Sequence, residues 1–146
     1  MQSVKDLASN VPRADIVSSA TFSIEPVLKG EWVSPGTHVD LIGAYRPDMR
    51  EADDTLVQKA ALFVDSRETA IHDTGELLIP IQNNIITEQD VHADLYDLCN
   101  GADGRTSDHA ITVYKNGGGA HLDLMTAKYI FTVYNSQIMA SEKTVA

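Results

Sequence analysis

Short apolar strands of four to seven residues recur along this chain with helical stretches between them, and that alternation constrains its fold more than any single motif. Parallel strands need crossover connections, which usually carry helices, so the pattern predicts an α/β chain built on a parallel sheet. Residues 14–20 read as the first strand, 37–43 as the second and 62–65 as the third. Residues 110–115 are the fourth, running into Asn116 and the triple glycine 117–119. Asp48 with Glu51 three residues on has the form of a capping box for a helix reaching to about Ala60. Asp53 and Asp54 lie favourably near its positive end. A short helix is expected from Ser66-Arg67-Glu68 to near Gly75. Another should cover Asp90–Cys99, started by Thr87 and Asp90, with Val91, Leu95 and Leu98 on one face. A long helix is expected from His121 to about Ala140. The stretch 77–86 is apolar but carries Pro80 and Asn83-Asn84, so a loop is expected there.

With 146 residues, 43% of them hydrophobic and 22% charged, the chain is long enough for one compact domain with a real core. A net charge of −10 opposes nonspecific attraction to nucleic acid or to an anionic membrane surface. Met1–Leu7 has no apolar core of signal-peptide length, and no run approaches the ~20 apolar residues of a membrane span, so a cytoplasmic location is expected. The single cysteine, Cys99, excludes an intrachain disulfide, fits a reducing compartment, and is expected to be a buried, inert thiol.

Parallel sheets bind ligands where strands pass into helices. Three such ends stand out: Thr21-Phe22-Ser23, Gly43-Ala44-Tyr45 and Lys115-Asn116-Gly117-Gly118. The Gly-x-Gly-x-x-Gly fingerprint of a dinucleotide site is absent, and glycines 117–119 match neither common phosphate-binding loop. The five histidines show no zinc spacing, so no metal is expected. Ser18, Ser19, Ser107 and Ser136 lie in no nucleophile elbow, which leaves a hydrolase without support. Most carboxylates fall in first helical turns or on polar faces, where capping and solubility explain them. No catalytic residue can be named from spacing alone.

Several segments, read in order, resemble the ornithine cyclodeaminase/mu-crystallin family: Ala14–Val17 with Ala20–Ser23, Pro26–Trp32, Gly36–Glu51 with Asp54, Phe63–Arg67, Gly104–Asp108 and Ile111–Lys115. The resemblance is collinear over nearly the whole chain. It implies that residues 1–119 form the later half of a Rossmann-type NAD(P)-binding domain. Residues 120–146 would be a long C-terminal helix returning to a substrate and dimerisation domain that this chain lacks. It places Thr21 and Ser23 near the cofactor, Gly43, Ala44 and Tyr45 beside the nicotinamide, and Asn116 and Gly117 facing the same ring. NAD or NADP is the implied cofactor, with weak or absent binding by the isolated chain, because the phosphate-anchoring loop lies earlier in family members.

Members that deaminate ornithine have an acid where this chain has Tyr45. A carboxylate there takes part in proton transfer or holds an ammonium, which a phenol cannot do in the same way. The Gly-Ala-aromatic-x-Pro-Asp-Met-Arg-Glu wording is closer to members that reduce cyclic imino acids such as pyrroline- or piperideine-2-carboxylate. Four readings stay open: part of such a reductase, part of an ornithine cyclodeaminase, a non-catalytic crystallin-like dinucleotide-binding protein, and a remnant. In each, strand 14–20 has an unpaired edge, and the last helix carries apolar residues around much of its circumference. A partner is therefore expected, either the missing N-terminal half or another copy in a homo-oligomer.

Overall fold

The β-branched and aliphatic residues at alternate positions line up across the strands and fix their register. In the computed structural model, which describes residues 3–144 and side chains as far as Ile138, β1 (Ile16–Ser19), β2 (His38–Leu41), β3 (Ala61–Val64), β4 (Val91–Asp94) and β5 (Thr112–Lys115) form one all-parallel sheet. The spatial order is β1-β2-β5-β3-β4. Val17, Val39, Val113, Leu62 and Val91 stand opposite one another as a row across all five strands. Residues 1, 2, 145 and 146, the outermost ends of the two expected segments, lie outside the described residues.

Among the described residues six α-helices accompany the sheet: α1 (Leu7–Asn10), α2 (Asp54–Lys59), α3 (Arg67–His72), α4 (Gly75–Gln82), α5 (Leu95–Cys99) and α6 (Ala120–Thr144). Leu56 and Val57 of α2, Ala70 and Ile71 of α3, and Leu77 of α4 pack with Val39, Leu41, Leu62, Val64 and Val113 in one core on one face of the sheet. The opposite face is thinly covered. There His38, Phe63 and Tyr114 line an open cleft of about 420 Å³ together with Leu95, Leu98 and Arg105.

The α/β class, the parallel sheet and the long C-terminal helix agree with the sequence reading, and four local expectations do not. The helix expected from Asp48 begins only at Asp54. Asp53 is its cap, its Oδ1 accepting from Leu56 N at 2.9 Å and from Gly30 N at 2.8 Å, while Asp48 is engaged by Arg46 at 2.9 Å. Glu51 is fully buried and points away from any helix start, because loop donors claim its carboxylate. The expected loop at 77–86 begins as helix α4, which accommodates Pro80 inside it. Pro80 removes one backbone donor, but the burial of Leu77 and of Pro80 itself outweighs that loss.

Within the helix expected over Asp90–Cys99, residues Val91–Asp94 are instead strand β4. Val91 and Ala93 are buried and His92 exposed, a period of two over too few residues to stand out from a helical stripe. The Thr87/Asp90 capping box does form, on a single 3-10 turn at Glu88–Asp90, and a second box, Asp94 with Asp97, starts α5. Cys99 is exposed rather than buried, since the short α5 lies at the rim of the sheet and presents its last turn to solvent. No helix among the described residues is long and apolar enough to cross a membrane.

Candidate functional site

All five strands run in one direction, so the loops that follow them gather along one edge of the sheet, where open parallel sheets take ligands. Glu51 organises that edge from below. Its Oε1 accepts from Ser19 Oγ at 2.7 Å, Thr21 N at 2.6 Å and Thr21 Oγ1 at 2.8 Å, and its Oε2 accepts from Gly43 N at 2.7 Å. One carboxylate therefore joins the loop after β1 to the loop after β2. The two loops touch so closely that a Cβ on Gly43 would lie 2.1 Å from the Thr21 carbonyl oxygen, which only glycine avoids.

Two further buried charges support this arrangement. Glu76, at the start of α4, accepts from Glu51 N and Ala52 N at 2.8 Å each. Lys115, the last residue of β5, is fully buried and donates from Nζ to the Ala44 carbonyl at 2.6 Å, with Leu41 O at 3.4 Å. Burial is the largest influence on all three. It pushes the Glu51 carboxyl up, but four hydrogen bonds from Ser19, Thr21 and Gly43 together overcome it and hold Glu51 below the usual carboxyl value. For Glu76 burial prevails over the bonds from Ala52 and Glu51 and over the nearby Lys115 and Arg50, and its carboxyl is raised. Burial likewise lowers the Lys115 ammonium against the opposing pull of Glu76, Glu51, Asp65 and Asp40.

The exposed rim carries aromatic surface. Phe22 and Tyr45 meet edge to face with ring centroids 6.1 Å apart, and the Arg46 guanidinium lies 5.9 Å from the Tyr45 ring. On the next strand over, Asn116 N donates to Leu41 O at 3.0 Å, and Asn116 Oδ1 accepts from Gly118 N at 2.8 Å. Gly117 N donates to Asp65 Oδ2 at 3.0 Å, fastening this loop to the end of β3.

Of the residues singled out by sequence, Thr21, Gly43 and Ala44 are bound into one unit by Glu51 and Lys115, with Tyr45 continuing from it at the surface. Asn116 and Gly117 stand beside it on the adjoining strand. Ser23 is tied to the same unit by its backbone, its N–H donating to Thr21 Oγ1 at 3.3 Å and its carbonyl accepting from Arg50 N, while its hydroxyl donates to the Glu25 carbonyl. Sequence reasoning placed Lys115 at one of the three strand ends without giving it a role, missed Glu51 and Glu76 as parts of the site, and took most acids for caps and surface groups. Their signal was an ionisable residue set in apolar company: Glu76 before Leu77-Leu78-Ile79, and Lys115 closing Ile111-Thr112-Val113-Tyr114. No group of three or more metal-binding side chains occurs among the described residues.

The family model for the ornithine cyclodeaminase/mu-crystallin family matches residues 1–137. The chain belongs to that family. Within it, this ornithine cyclodeaminase/mu-crystallin family chain is 60% identical over 134 residues to a Delta(1)-pyrroline-2-carboxylate reductase of Paracoccus denitrificans, covering 91% of this chain and 42% of the relative. A Thermococcus litoralis Delta(1)-pyrroline-2-carboxylate reductase, solved in complex with NADH and L-proline, superposes with a TM-score of 0.81 at 36% identity over 86% of this chain and 39% of that one. An archaeal alanine dehydrogenase dimer with bound NAD gives a TM-score of 0.82 at 34% identity, over 92% and 42%. The family chain thus spans about two fifths of the length of the relatives it matches.

Proposed function

We propose that this chain is the C-terminal part of an NAD(P)-dependent reductase of cyclic imino acids of the pyrroline- or piperideine-2-carboxylate kind. In this reading residues 1–119 supply the later half of the dinucleotide-binding domain, and 120–146 form the helix that joins a substrate and dimer domain. The observation that carries it is the single edge at which Thr21, Gly43-Ala44-Tyr45 and Asn116-Gly117 meet, in a chain 60% identical to a pyrroline-2-carboxylate reductase. The residues present fit the nicotinamide end of a dinucleotide: close-packed backbone at Gly43 and Gly117, and exposed aromatic rings at Phe22 and Tyr45. They do not include a glycine-rich loop for the pyrophosphate.

A reduced dinucleotide supplies the hydride that such a reduction adds to the imine carbon, the nitrogen taking a proton. For their part, Thr21 and the Gly43–Ala44 peptide hold the floor of the ring site. The exposed Phe22–Tyr45 pair offers it an aromatic face, and the Tyr45 hydroxyl offers a hydrogen-bond donor. Tyr45 in place of an acid disfavours the ornithine cyclodeaminase reading. A cytoplasmic, dimeric enzyme is the form we infer, in keeping with the lone unpaired Cys99 and the dimeric archaeal relative.

The test joins the upstream three fifths of the Paracoccus relative to this chain. The joined protein is assayed for NADH and NADPH oxidation with pyrroline-2-carboxylate and piperideine-2-carboxylate, and for ammonia release from ornithine. Turnover of a cyclic imine supports the proposal. A folded protein that binds dinucleotide without turnover favours the crystallin-like reading, and one that binds none defeats both.

A further inference from the structure

The Gly43–Ala44 segment is gripped from both ends by ions that never reach solvent. The Gly43 N–H donates to Glu51 at 2.7 Å, and the Ala44 carbonyl accepts from Lys115 at 2.6 Å. Glu51, Glu76 and Lys115 are all fully buried, and Arg50 is 7% exposed. Arg50 pairs with Asp54 at 2.8 Å, and Glu76 accepts from the backbone amides of Glu51 and Ala52. A fold needing only a filled core gains little from such a set, because apolar residues of equal volume are often as stable. What the ions supply is direction: Glu51 and Lys115 each bond one atom of the loop that precedes Tyr45, and Glu76 holds the backbone amide of Glu51 itself.

We propose that Glu51 and Lys115, with Glu76 behind them, are positioning residues that set the height of the Gly43-Ala44-Tyr45 loop against Thr21, and so the place where a nicotinamide ring and an imino substrate meet. The inference rests on the reductase reading for its functional consequence, and on this chain's own bonds for its mechanism. None of the three touches substrate. They act through the Gly43 amide, the Ala44 carbonyl and the Thr21 amide and hydroxyl. Asp65 makes a similar tie at the neighbouring loop, its Oδ2 accepting from Gly117 N at 3.0 Å and its Oδ1 from Ser66 N at 2.8 Å.

The experiment uses the joined protein with Glu51→Gln, Glu51→Asp, Lys115→Met, Lys115→Arg and the Glu51→Gln/Lys115→Met pair. Amide hydrogen exchange at Thr21 and Gly43 is read in each, alongside kcat, KM and dinucleotide Kd. Positioning predicts exchange at least about tenfold faster at those two amides in Glu51→Gln, with exchange in β3 and β4 unchanged. It also predicts kcat reduced by about 10- to 100-fold with Kd within about threefold, because the remote anchor of the dinucleotide is untouched. The double variant should lose no more than the worse single one, the mark of residues acting as one unit. Lys115→Arg should recover more than Lys115→Met.

Unchanged exchange at Gly43 and Thr21 in Glu51→Gln would overturn the clamp whether or not the protein turns over. Faster exchange with kcat intact would overturn its catalytic consequence. Absence of turnover in the unmutated joined protein would instead count against the reductase reading, leaving the exchange result to decide the clamp. Should a variant fail to fold, Glu51→Asp supplies the exchange measurement with the charge retained and the reach shortened.

Discussion

A carboxylate that satisfies four donors at once cannot be replaced without releasing two loops, and Glu51 is that carboxylate here. Because those bonds hold its folded-state pKa below the ordinary value of 4.5, its contribution to stability is complete above that value. The contribution is lost as pH falls through the depressed one. Urea unfolding midpoints between pH 6 and pH 3 should therefore fall less steeply in Glu51→Gln than in the unmutated chain. Asp90 and Asp97, held low by the Thr87 and Asp94 backbone amides, act in both proteins and drop out of the comparison. An equal slope in both would remove Glu51 from the acid response. The run Gly36–Glu51 was legible in sequence as part of the family resemblance, which the family match over residues 1–137 bears out. The job of Glu51 was not legible, because an acid three residues after Asp48 has the spacing of a capping box. Only the packing of β1 beside β2 brings Ser19, Thr21 and Gly43 within its reach.

At the scale of elements, a strand or helix was readable where its own residues decided it and unreadable where a neighbour did. Ile111–Lys115 carries its β propensity in its side chains, and the polar Ser66-Arg67-Glu68 run after a strand announces Arg67–His72, so both stood out. Val91–Asp94 is a strand because β3 lies alongside it, and α4 is a helix because its apolar side is buried in spite of Pro80. Asp53 shows how such coupling works. One oxygen caps α2 and also receives the Gly30 amide, tying the helix to the 3-10 turn Gly30–Trp32. Asp53→Ala should cost about 1–2 kcal/mol in chemical denaturation, and Asp53→Asn appreciably less. Equal losses in the two variants would show that charge, rather than the accepted bonds, matters at this cap.

For the molecule as a whole, what stands out is surface without cover. All-parallel sheets are found with both faces packed, yet Ile16 on edge strand β1 is 68% exposed, and α6 presents Met125, Tyr129 and Phe131 at 66–70% exposure. The isolated chain should associate in a concentration-dependent way in sedimentation velocity runs. Ile16→Lys should weaken that association while changing folding stability by no more than about 0.5 kcal/mol, as expected for an exposed site. A monomer at every concentration would show that α6 and the open edge need no partner. Joining to the upstream half should likewise suppress association, if that half is what the surface receives.

The strand order also bears on how the chain reaches its native state. β5, the last of these five strands in sequence, lies at the centre of the sheet between β2 and β3, and His38 of β2 pairs with Thr112 of β5, 74 positions further along the sequence. Until residues 112–115 emerge from the ribosome, β2 and β3 have no shared neighbour, and the β1–β2 and β3–β4 pairs are two separate hairless ribbons with open edges. Closing such distant pairings is slow and exposes intermediates to aggregation. Insertion of β5 is thus the step at which synthesis, folding and assembly converge.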